Sequence, residues 1–250
     1  MNLENINYYS KEYNKKGYFV IKNVIKKNFI KKILNEIYQA KNVDKYKDSQ
    51  GNLRRIERLY NKGKSLKSLN LKILGLLDKI FHEKFVIFKD KFNAKPPGGD
   101  GFYAHFDGIF NFVNQNNEKK KGWYEYTNFF INVLIALDEC NKLNGSIELS
   151  PQHRGNFEEL IKKTKQDGTP ALNLKTLKKT KFNLVNLKQG DMVFFSNKCP
   201  HQSKKNNTKK SRRILYYTYT KLKYKSKYLK YYKDKMKSKN KLKALEEKNN

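Results

Sequence analysis

Apolar positions recur every three or four residues over 27–41 and 68–81, which predicts two amphipathic helices in the first third of the chain. Before them, residues 17–25 alternate between apolar and polar side chains and predict a first strand. The stretch between the two helices, 42–65, is polar and charged, and we expect a loop there. The front of the chain is therefore predicted to be mostly helical.

Beyond residue 84 the pattern changes to short apolar segments separated by turns rich in glycine, proline and asparagine. The predicted strands cover 84–93, 128–140, 182–187, 191–196 and 212–220, and a brief helix is predicted at 157–164. Short strands at regular spacing, with helices concentrated at the front, are typical of a β-barrel or jelly roll. We therefore predict a mainly β (α+β) fold with flanking N-terminal helices.

The length and the composition together predict one domain with an appendage. The chain has 250 residues, which is enough for a sizeable domain with its own core. Composition changes near residue 220, because the segment 221–250 holds twelve Lys against three acidic residues and is rich in Tyr. We expect a single domain over 1–220, followed by a Lys- and Tyr-rich C-terminal helix or tail over 221–250.

The formal net charge of +32 raises nucleic acid as a partner. Only six of the 55 basic residues are Arg, however, and phosphate-binding surfaces favour Arg because its planar fork binds two oxygens at once. Abundant Lys together with Asn and Ile is typical of A/T-rich coding sequences. We expect a solvated Lys surface, and a basic nucleic-acid-binding protein stays open as the alternative.

The apolar stretches and the cysteines of the sequence bear on the location of the protein. No stretch of about 18 apolar residues is present, and the first residues lack the apolar centre of a signal peptide. We therefore expect no membrane span and a cytoplasmic location. The two cysteines, Cys140 and Cys199, are too few for a disulfide framework or a zinc knuckle, and we expect small buried thiols.

The candidate metal ligands are two histidines and a carboxylate. His105 and Asp107 lie two residues apart in the segment GFYAHFDGIF, so on an extended backbone both side chains point to the same side. His201 follows a Gly-Asp turn and an apolar strand in GDMVFFSNKCPH, and it is the best third ligand. Two histidines and one carboxylate suit non-haem iron(II) and leave coordination positions open, whereas structural zinc is normally closed by four Cys-rich ligands.

A candidate anion-binding residue follows the third ligand. Arg212 and Arg213 open the apolar strand RRILYYTYT, and alternation allows one of them to face inward. The spacing after His201 favours Arg212. A buried guanidinium needs an anionic partner, and the distal carboxylate of 2-oxoglutarate would provide one in a bidentate pair.

Three blocks in order resemble the phytanoyl-CoA dioxygenase family of iron(II)- and 2-oxoglutarate-dependent oxygenases. The blocks are KFNAKPPGGDGFYAHFD (91–107), NGSIELSPQHRGN (144–156) and GDMVFFSNKCPHQSKKNNTKKSRRILYYTY (190–219). The resemblance spans about 15–220 and implies a double-stranded β-helix, the cupin-like jelly roll, with the metal at its open end. It also implies that His201 is the distal metal ligand, that Arg212 and Ser203 anchor 2-oxoglutarate, and that Asn93 contacts it.

The same resemblance implies an activity. An enzyme of this family would use oxygen to hydroxylate a small organic substrate while it decarboxylates 2-oxoglutarate to succinate and CO2. Related halogenases carry a small residue in place of the Asp, so the presence of Asp107 favours hydroxylation. A basic chain favours an anionic substrate by electrostatic steering. A nucleic-acid-directed oxygenase on the same barrel ranks lower, because its paired arginines, several residues apart on the last strand, are absent.

Overall fold

The computed structural model describes residues 3–48 and 50–248, which form six α-helices and thirteen β-strands. The helices are α1 (Leu3–Lys16), α2 (Lys27–Gln39), α3 (Lys64–Phe81), α4 (Phe157–Ile161), α5 (Leu174–Lys179) and α6 (Tyr228–Lys248). The strands are β1 (Tyr18–Ile21), β2 (Asp44–Lys47), β3 (Leu53–Glu57), β4 (Phe85–Lys95), β5 (Phe102–His105), β6 (Asn111–Val113), β7 (Lys119–Lys121), β8 (Ile131–Ala136), β9 (Ile147–Leu149), β10 (Asn183–Leu184), β11 (Met192–Ser196), β12 (His201–Ser203) and β13 (Arg212–Lys221).

Most of the strands belong to two antiparallel sheets. Seven strands form the larger sheet in the order β1-β11-β8-β13-β4-β3-β2, and four form the smaller one in the order β10-β9-β12-β5. The strands β6 and β7 pair as a separate hairpin. This arrangement confirms the predicted mainly β fold with helices at the front. In the described part of the chain, no helix has the length and apolar character needed to cross a membrane.

The principal core lies between the larger sheet and the helices α2 and α3. Ile33 and Ile37 of α2 and Ile73 of α3 are fully buried with Phe88 and Phe92 of β4. Each such side chain contributes roughly 1.5–3 kcal/mol when it is removed from water. Because successive side chains on a strand point to opposite faces, the intervening positions of β4 face the other side of the sheet.

A second core lies between the two sheets. Leu134, Phe195 and Ile214 of the larger sheet pack with Ile147 and Leu149 of the smaller one. The two sheets are therefore held face to face by apolar contacts at one end. The polar positions of the same inner faces line a cavity, described below.

The structure corrects the predicted loop over 42–65, which contains β2 and β3. These strands pair with each other and extend the larger sheet through β4. The sequence of β2, DKYK, alternates only between half-buried and exposed positions, so this edge strand lacks the apolar alternation that predicts strands. Helix α1 has no predicted counterpart either. Its apolar residues Ile6, Tyr9 and Tyr13 recur at helical spacing and lie on its buried face, but most of the remaining positions are polar or charged, and this signal was not recognised in the sequence.

The C-terminal helix α6 is attached to the barrel through tyrosines. Tyr228 and Tyr232 are buried, and both contact Asp90 of β4. The hydroxyl of Tyr228 donates to Oδ1 of Asp90 at 2.8 Å, whereas that of Tyr232 donates to the backbone carbonyl oxygen of Asp90 at 2.6 Å and lies 3.2 Å from Oδ1. The backbone N–H groups of Leu59 and Tyr60 donate to Oδ2 of the same carboxylate. Asp90 therefore connects the β3–α3 loop, β4 and α6. The predicted domain boundary at residue 220 stays a prediction.

Replacing Asp90 with Ala is expected to lower the free energy of unfolding by roughly 3 kcal/mol, because three donors, the N–H groups of Leu59 and Tyr60 and the hydroxyl of Tyr228, lose their acceptor. Urea denaturation followed by circular dichroism would measure the loss. Asp78→Ala is the matched control, since this partly exposed carboxylate pairs only with Lys84 at the surface and is expected to cost less than about 1 kcal/mol. Equal losses in the two variants would contradict the connecting role of Asp90.

Candidate metal centre

The three predicted metal ligands meet at one end of the barrel. His105, the last residue of β5, is the register partner of His201, the first residue of β12. Asp107 lies two residues beyond β5. Its Oδ1 is 3.9 Å from Nε2 of His105, and its Oδ2 is 3.6 Å from Nε2 of His201. The ligand atoms of all three residues lie within 4.8 Å of one another, as binding of one metal ion requires.

The hydrogen bonds of the imidazole rings fix which nitrogen faces the centre. Nδ1 of His105 lies 2.8 Å from the carbonyl oxygen of Tyr103, and Nδ1 of His201 lies 3.0 Å from that of Cys199. Since a carbonyl oxygen only accepts, both Nδ1 atoms carry the proton and donate it. Both Nε2 lone pairs therefore point towards Asp107 and are available to a metal.

The electrostatic environment favours the protonation states that a metal requires. Burial, together with the neighbouring His201, lowers the pKa of His105 to about 3. Burial also lowers the pKa of His201. Burial alone would raise the pKa of Asp107, but the nearby His201 and Lys91 side chains lower it to about 2. At neutral pH the centre therefore presents two neutral imidazoles and one carboxylate.

A hydrogen-bonded pair behind the centre orients the carboxylate. Asn132 of β8 donates from Nδ2 to Oδ2 of Asp107 at 2.9 Å, and its Oδ1 accepts a hydrogen bond from the hydroxyl of Thr218 at 2.7 Å. Asn132 and Thr218 are register partners on β8 and β13. The apolar pattern of β8 gave no reason to single out Asn132 as a supporting residue.

Replacing Asn132 with Ala is expected to weaken iron(II) binding by about 10- to 100-fold, because residues that orient a ligand typically contribute this much to metal affinity. Anaerobic titration of the metal-free protein with iron(II) would measure the change. The control is Asn128→Ala, which removes an exposed amide whose Oδ1 accepts from Tyr224. Unchanged affinity in the Asn132 variant would show that Asp107 does not depend on this support.

A cavity of about 220 Å³ opens beside the three ligands and lies between the two sheets. Six basic side chains line it: Arg54, Arg55, Lys89, Lys91, Lys95 and Arg212. Burial lowers the pKa of Lys91 to about 7, so an anion bound nearby would favour its charged form. Asp107 is the one carboxylate among the described residues that line it. The protein side chains alone therefore give the cavity a positive charge, and it favours anionic ligands even before a divalent metal ion adds its own charge.

The predicted 2-oxoglutarate anchors Arg212, Ser203 and Asn93 all line this cavity. Arg212 is only 4% exposed, and its Nη2 donates to the carbonyl oxygen of Gly145 at 3.0 Å. Its Nε is buried and has no hydrogen-bond partner among the described residues, and the same is true of Oδ1 of Asn93. Arg213 points away from the cavity and pairs with Asp138. Arg212, which the spacing favours, is therefore the arginine that faces inward.

Lys95 is a cavity residue that the sequence analysis missed. It is 1% exposed, and its Nζ lies 2.9 Å from Oγ of Ser203 and 3.2 Å from the carbonyl oxygen of Gly145. Burial and the adjacent Arg212 lower the pKa of its ammonium to about 7. Two cations in one buried pocket repel each other, so a bound carboxylate would stabilise both.

The expectation of a solvated Lys surface does not hold for β4. Lys89, Lys91, Asn93 and Lys95 occupy alternate positions of this strand and face the cavity, whereas Phe92 faces helix α2, where its ring contacts Tyr38. The even spacing of the lysines in the segment KDKFNAK was the available signal. This spacing was not recognised as a signal, because lysines are abundant throughout the chain.

The fold and the site together define a class: a cupin-like β-barrel with a His-x-Asp and a distal His at its open end. The model of the family "Phytanoyl-CoA dioxygenase (PhyH)" matches residues 13–214. The chain therefore belongs to the phytanoyl-CoA dioxygenase family, as its three sequence blocks predicted.

Two curated relatives are similar to this chain in sequence. The chain is 31% identical over 164 residues to a 2-aminoethylphosphonate dioxygenase of the uncultured bacterium HF130_AEPn_1, covering 65% of this chain and 56% of the relative. It is 32% identical over 141 residues to a methylphosphonate hydroxylase of Gimesia maris, covering 56% of this chain and 47% of the relative. The chain thus spans about half the length of the curated relatives it matches.

Two solved structures show the same fold at low sequence identity. The epimerase SnoN in complex with Fe3+, alpha ketoglutarate and nogalamycin RO superposes with a TM-score of 0.67 at 14% identity, covering 88% of this chain and 85% of SnoN. EctD from S. alaskensis superposes with a TM-score of 0.65 at 14% identity, covering 89% of this chain and 78% of EctD. These likenesses confirm the predicted jelly-roll fold.

Proposed function

We propose that this protein is an iron(II)- and 2-oxoglutarate-dependent dioxygenase that hydroxylates a small anionic organic molecule, with phosphonates as the favoured class. The observation that carries the proposal is the buried cluster of His105, Asp107 and His201 beside an arginine, Arg212, whose buried Nε has no partner among the described residues. Family membership over residues 13–214 supports the same chemistry.

The metal would be held by Nε2 of His105, Nε2 of His201 and the carboxylate of Asp107. When bound, iron(II) would activate oxygen for C–H hydroxylation, coupled to the decarboxylation of 2-oxoglutarate to succinate and CO2. The protein keeps both imidazoles neutral through their Nδ1 hydrogen bonds and keeps the carboxylate oriented through Asn132. With three protein ligands, the other coordination positions stay open.

The distal carboxylate of 2-oxoglutarate would bind at Arg212, Lys95 and Ser203. Nε of Arg212 is a buried donor with no partner among the described residues, and the hydroxyl of Ser203 can donate while its oxygen accepts from Lys95. A carboxylate at this point would pair with two buried cations that otherwise repel each other. Anchoring there fixes the orientation of the cosubstrate relative to the metal ligands.

The substrate class follows from the basic side chains of the cavity that would contact neither the metal nor 2-oxoglutarate. Asp107 binds the metal, and Arg212 and Lys95 hold the cosubstrate. Arg54 donates hydrogen bonds to the backbone carbonyl oxygens of Ala94 and Asp100, so Arg55, Lys89 and Lys91 are left on the cavity wall. Three cations in one wall favour a small substrate with a compact, highly charged head group. Two relatives carry the names of phosphonate-oxidising enzymes, which supports a phosphonate.

The test begins with an anaerobic titration of the metal-free protein with iron(II) and 2-oxoglutarate. We expect the weak visible charge-transfer band that forms when 2-oxoglutarate chelates iron(II). In air, succinate release should then rise when methylphosphonate or 2-aminoethylphosphonate is added. Absence of the band would overturn the oxygenase proposal. A band whose turnover responds to neither phosphonate would overturn the substrate class alone. The nucleic-acid alternatives stay predictions.

A further inference from the structure

A second cavity, of about 420 Å³, lies between the barrel and the C-terminal helix α6. It shares Arg55, Lys89 and Phe110 with the cavity beside the metal ligands, so the two cavities meet at these side chains. Tyr231 and Lys235 of α6 line its other side. Helix α6 lies beyond residues 13–214, which the family model matches.

Glu57 is a fully buried carboxylate at the end of β3, close to the junction of the two cavities. Its Oε1 lies 3.6 Å from Nη1 of Arg55, which is an ion-pair distance but too long for a hydrogen bond. Its Oε2 forms an ion pair with Nζ of Lys235. Burial would raise the pKa of Glu57, but Lys89, Lys235 and Arg55 together lower it, so the carboxylate is ionised at neutral pH.

Lys89 is positioned by aromatic side chains from both sides of the junction. Its Nζ lies 5.1 Å from the ring of Trp123 and 5.5 Å from the ring of Tyr231 on α6. Such contacts hold an ammonium in place without neutralising its charge. Lys89 thus remains able to pair with an anion that enters the junction.

With all four groups ionised, the charges at the junction leave a surplus of two, and a bound anion would oppose the burial that lowers the pKa of Lys89 and of Lys235. Arg55, Lys89 and Lys235 carry three positive charges, and Glu57 carries one negative charge. Glu57 already attracts Arg55 and Lys89, and without Lys235 its charge would be shared by these two alone, so it would compete more strongly with an incoming anion. With Lys235 in place, the net charge of +2 matches a doubly charged head group such as a phosphonate.

We propose that Lys235 of the C-terminal helix is a positioning residue that neutralises Glu57 and thereby leaves Arg55 and Lys89 available to bind the anionic head group of the substrate. This proposal rests on the proposed function, because it identifies where the phosphonate-like end of that enzyme's substrate lies. It assigns the helix outside the family-matched segment a part in substrate binding.

The experiment measures binding of methylphosphonate by isothermal titration calorimetry at pH 8, where this probe is mostly doubly charged. The full chain is used, loaded anaerobically with iron(II) and 2-oxoglutarate. We expect Lys235→Met to raise the Kd at least tenfold, and the double variant Glu57→Gln with Lys235→Met to return it to within about threefold of the wild type. Lys233→Met, an exposed lysine of the same helix, is the matched control and should leave the Kd unchanged.

The rescue separates the proposal from a purely structural role of α6. If Lys235 merely held the helix in place, removal of the charge at Glu57 would not restore binding. Failure of the rescue, or an unchanged Kd in Lys235→Met, would therefore overturn the proposal. Failure of the wild type to bind methylphosphonate while it still forms the charge-transfer band would overturn it as well.

A further variant decides the outcome if Lys235→Met does not fold. Glu57→Gln alone removes the competing carboxylate, so it should bind methylphosphonate as tightly as the wild type or more tightly. Weaker binding by this variant would overturn the proposal. Failure of the underlying enzyme proposal is recognised separately, because the wild type would then lack the charge-transfer band.

Discussion

The Asp107→Ala variant is expected to bind iron(II) at least about 100-fold more weakly than the wild type, and to lose turnover with the metal. Loss of a residue that merely orients a ligand already costs about 10- to 100-fold, and Asp107 is the one anionic group among the three predicted ligands. Its removal leaves two neutral imidazoles in a cavity lined by six basic side chains, whose positive charge repels a divalent ion. The loss of one ligand and the positive charge of the cavity therefore both weaken iron(II) binding.

Iron(II) titration under nitrogen, with a chromophoric chelator as competitor, would measure this loss. His153→Ala is the control, because this histidine packs against the ring of Phe106, at 5.3 Å between centroids, and is not one of the three ligands. It should keep the affinity of the wild type. Comparable losses in the two variants, or full affinity in Asp107→Ala, would show that iron is bound elsewhere.

The residues of this site that could be predicted from the sequence are those whose orientation depends on close neighbours in the chain or on the alternation of side chains along a strand. His105 and Asp107 share a face because residues two apart on a strand do so whatever the rest of the fold. The orientation of Arg212 followed from the same alternation, together with its distance from His201. The structure brings these residues together as predicted. Their roles as metal ligands and cosubstrate anchor stay predictions.

The parts that could not be predicted depend on pairing between distant segments. Arg55 lies beside Asn93 because β3 pairs with β4, and the charged sequence of β2 and β3 gave no strand signal. Lys95 carries the same charge as dozens of exposed lysines, and only its strand position makes it buried. A carboxylate such as Asp90 on a strand does not reveal that a helix more than 130 residues later will dock on it.

The Arg212→Met variant is expected to bind 2-oxoglutarate about 100-fold more weakly than the wild type. Methionine keeps much of the apolar stem but removes the buried guanidinium, and truncation of one partner of a buried charge pair costs about 2–5 kcal/mol. At about 1.4 kcal/mol for each tenfold change, this range spans roughly 30-fold to more than 1000-fold. Lys95 and Ser203 remain as partners of the carboxylate, so we expect a loss of affinity in the lower half of that range.

The charge-transfer band, titrated with 2-oxoglutarate at saturating iron(II), would report this affinity directly. The matched control is the neighbouring residue, because Arg213 points away from the cavity and pairs with Asp138 at 2.7 Å. Arg213→Met should leave the affinity for 2-oxoglutarate unchanged and should cost at most about 1 kcal/mol of stability, as expected for a partly exposed ion pair. If both variants lost affinity equally, the effect would come from damage to β13. If neither lost affinity, 2-oxoglutarate would not be anchored by Arg212, and its buried Nε would need another partner.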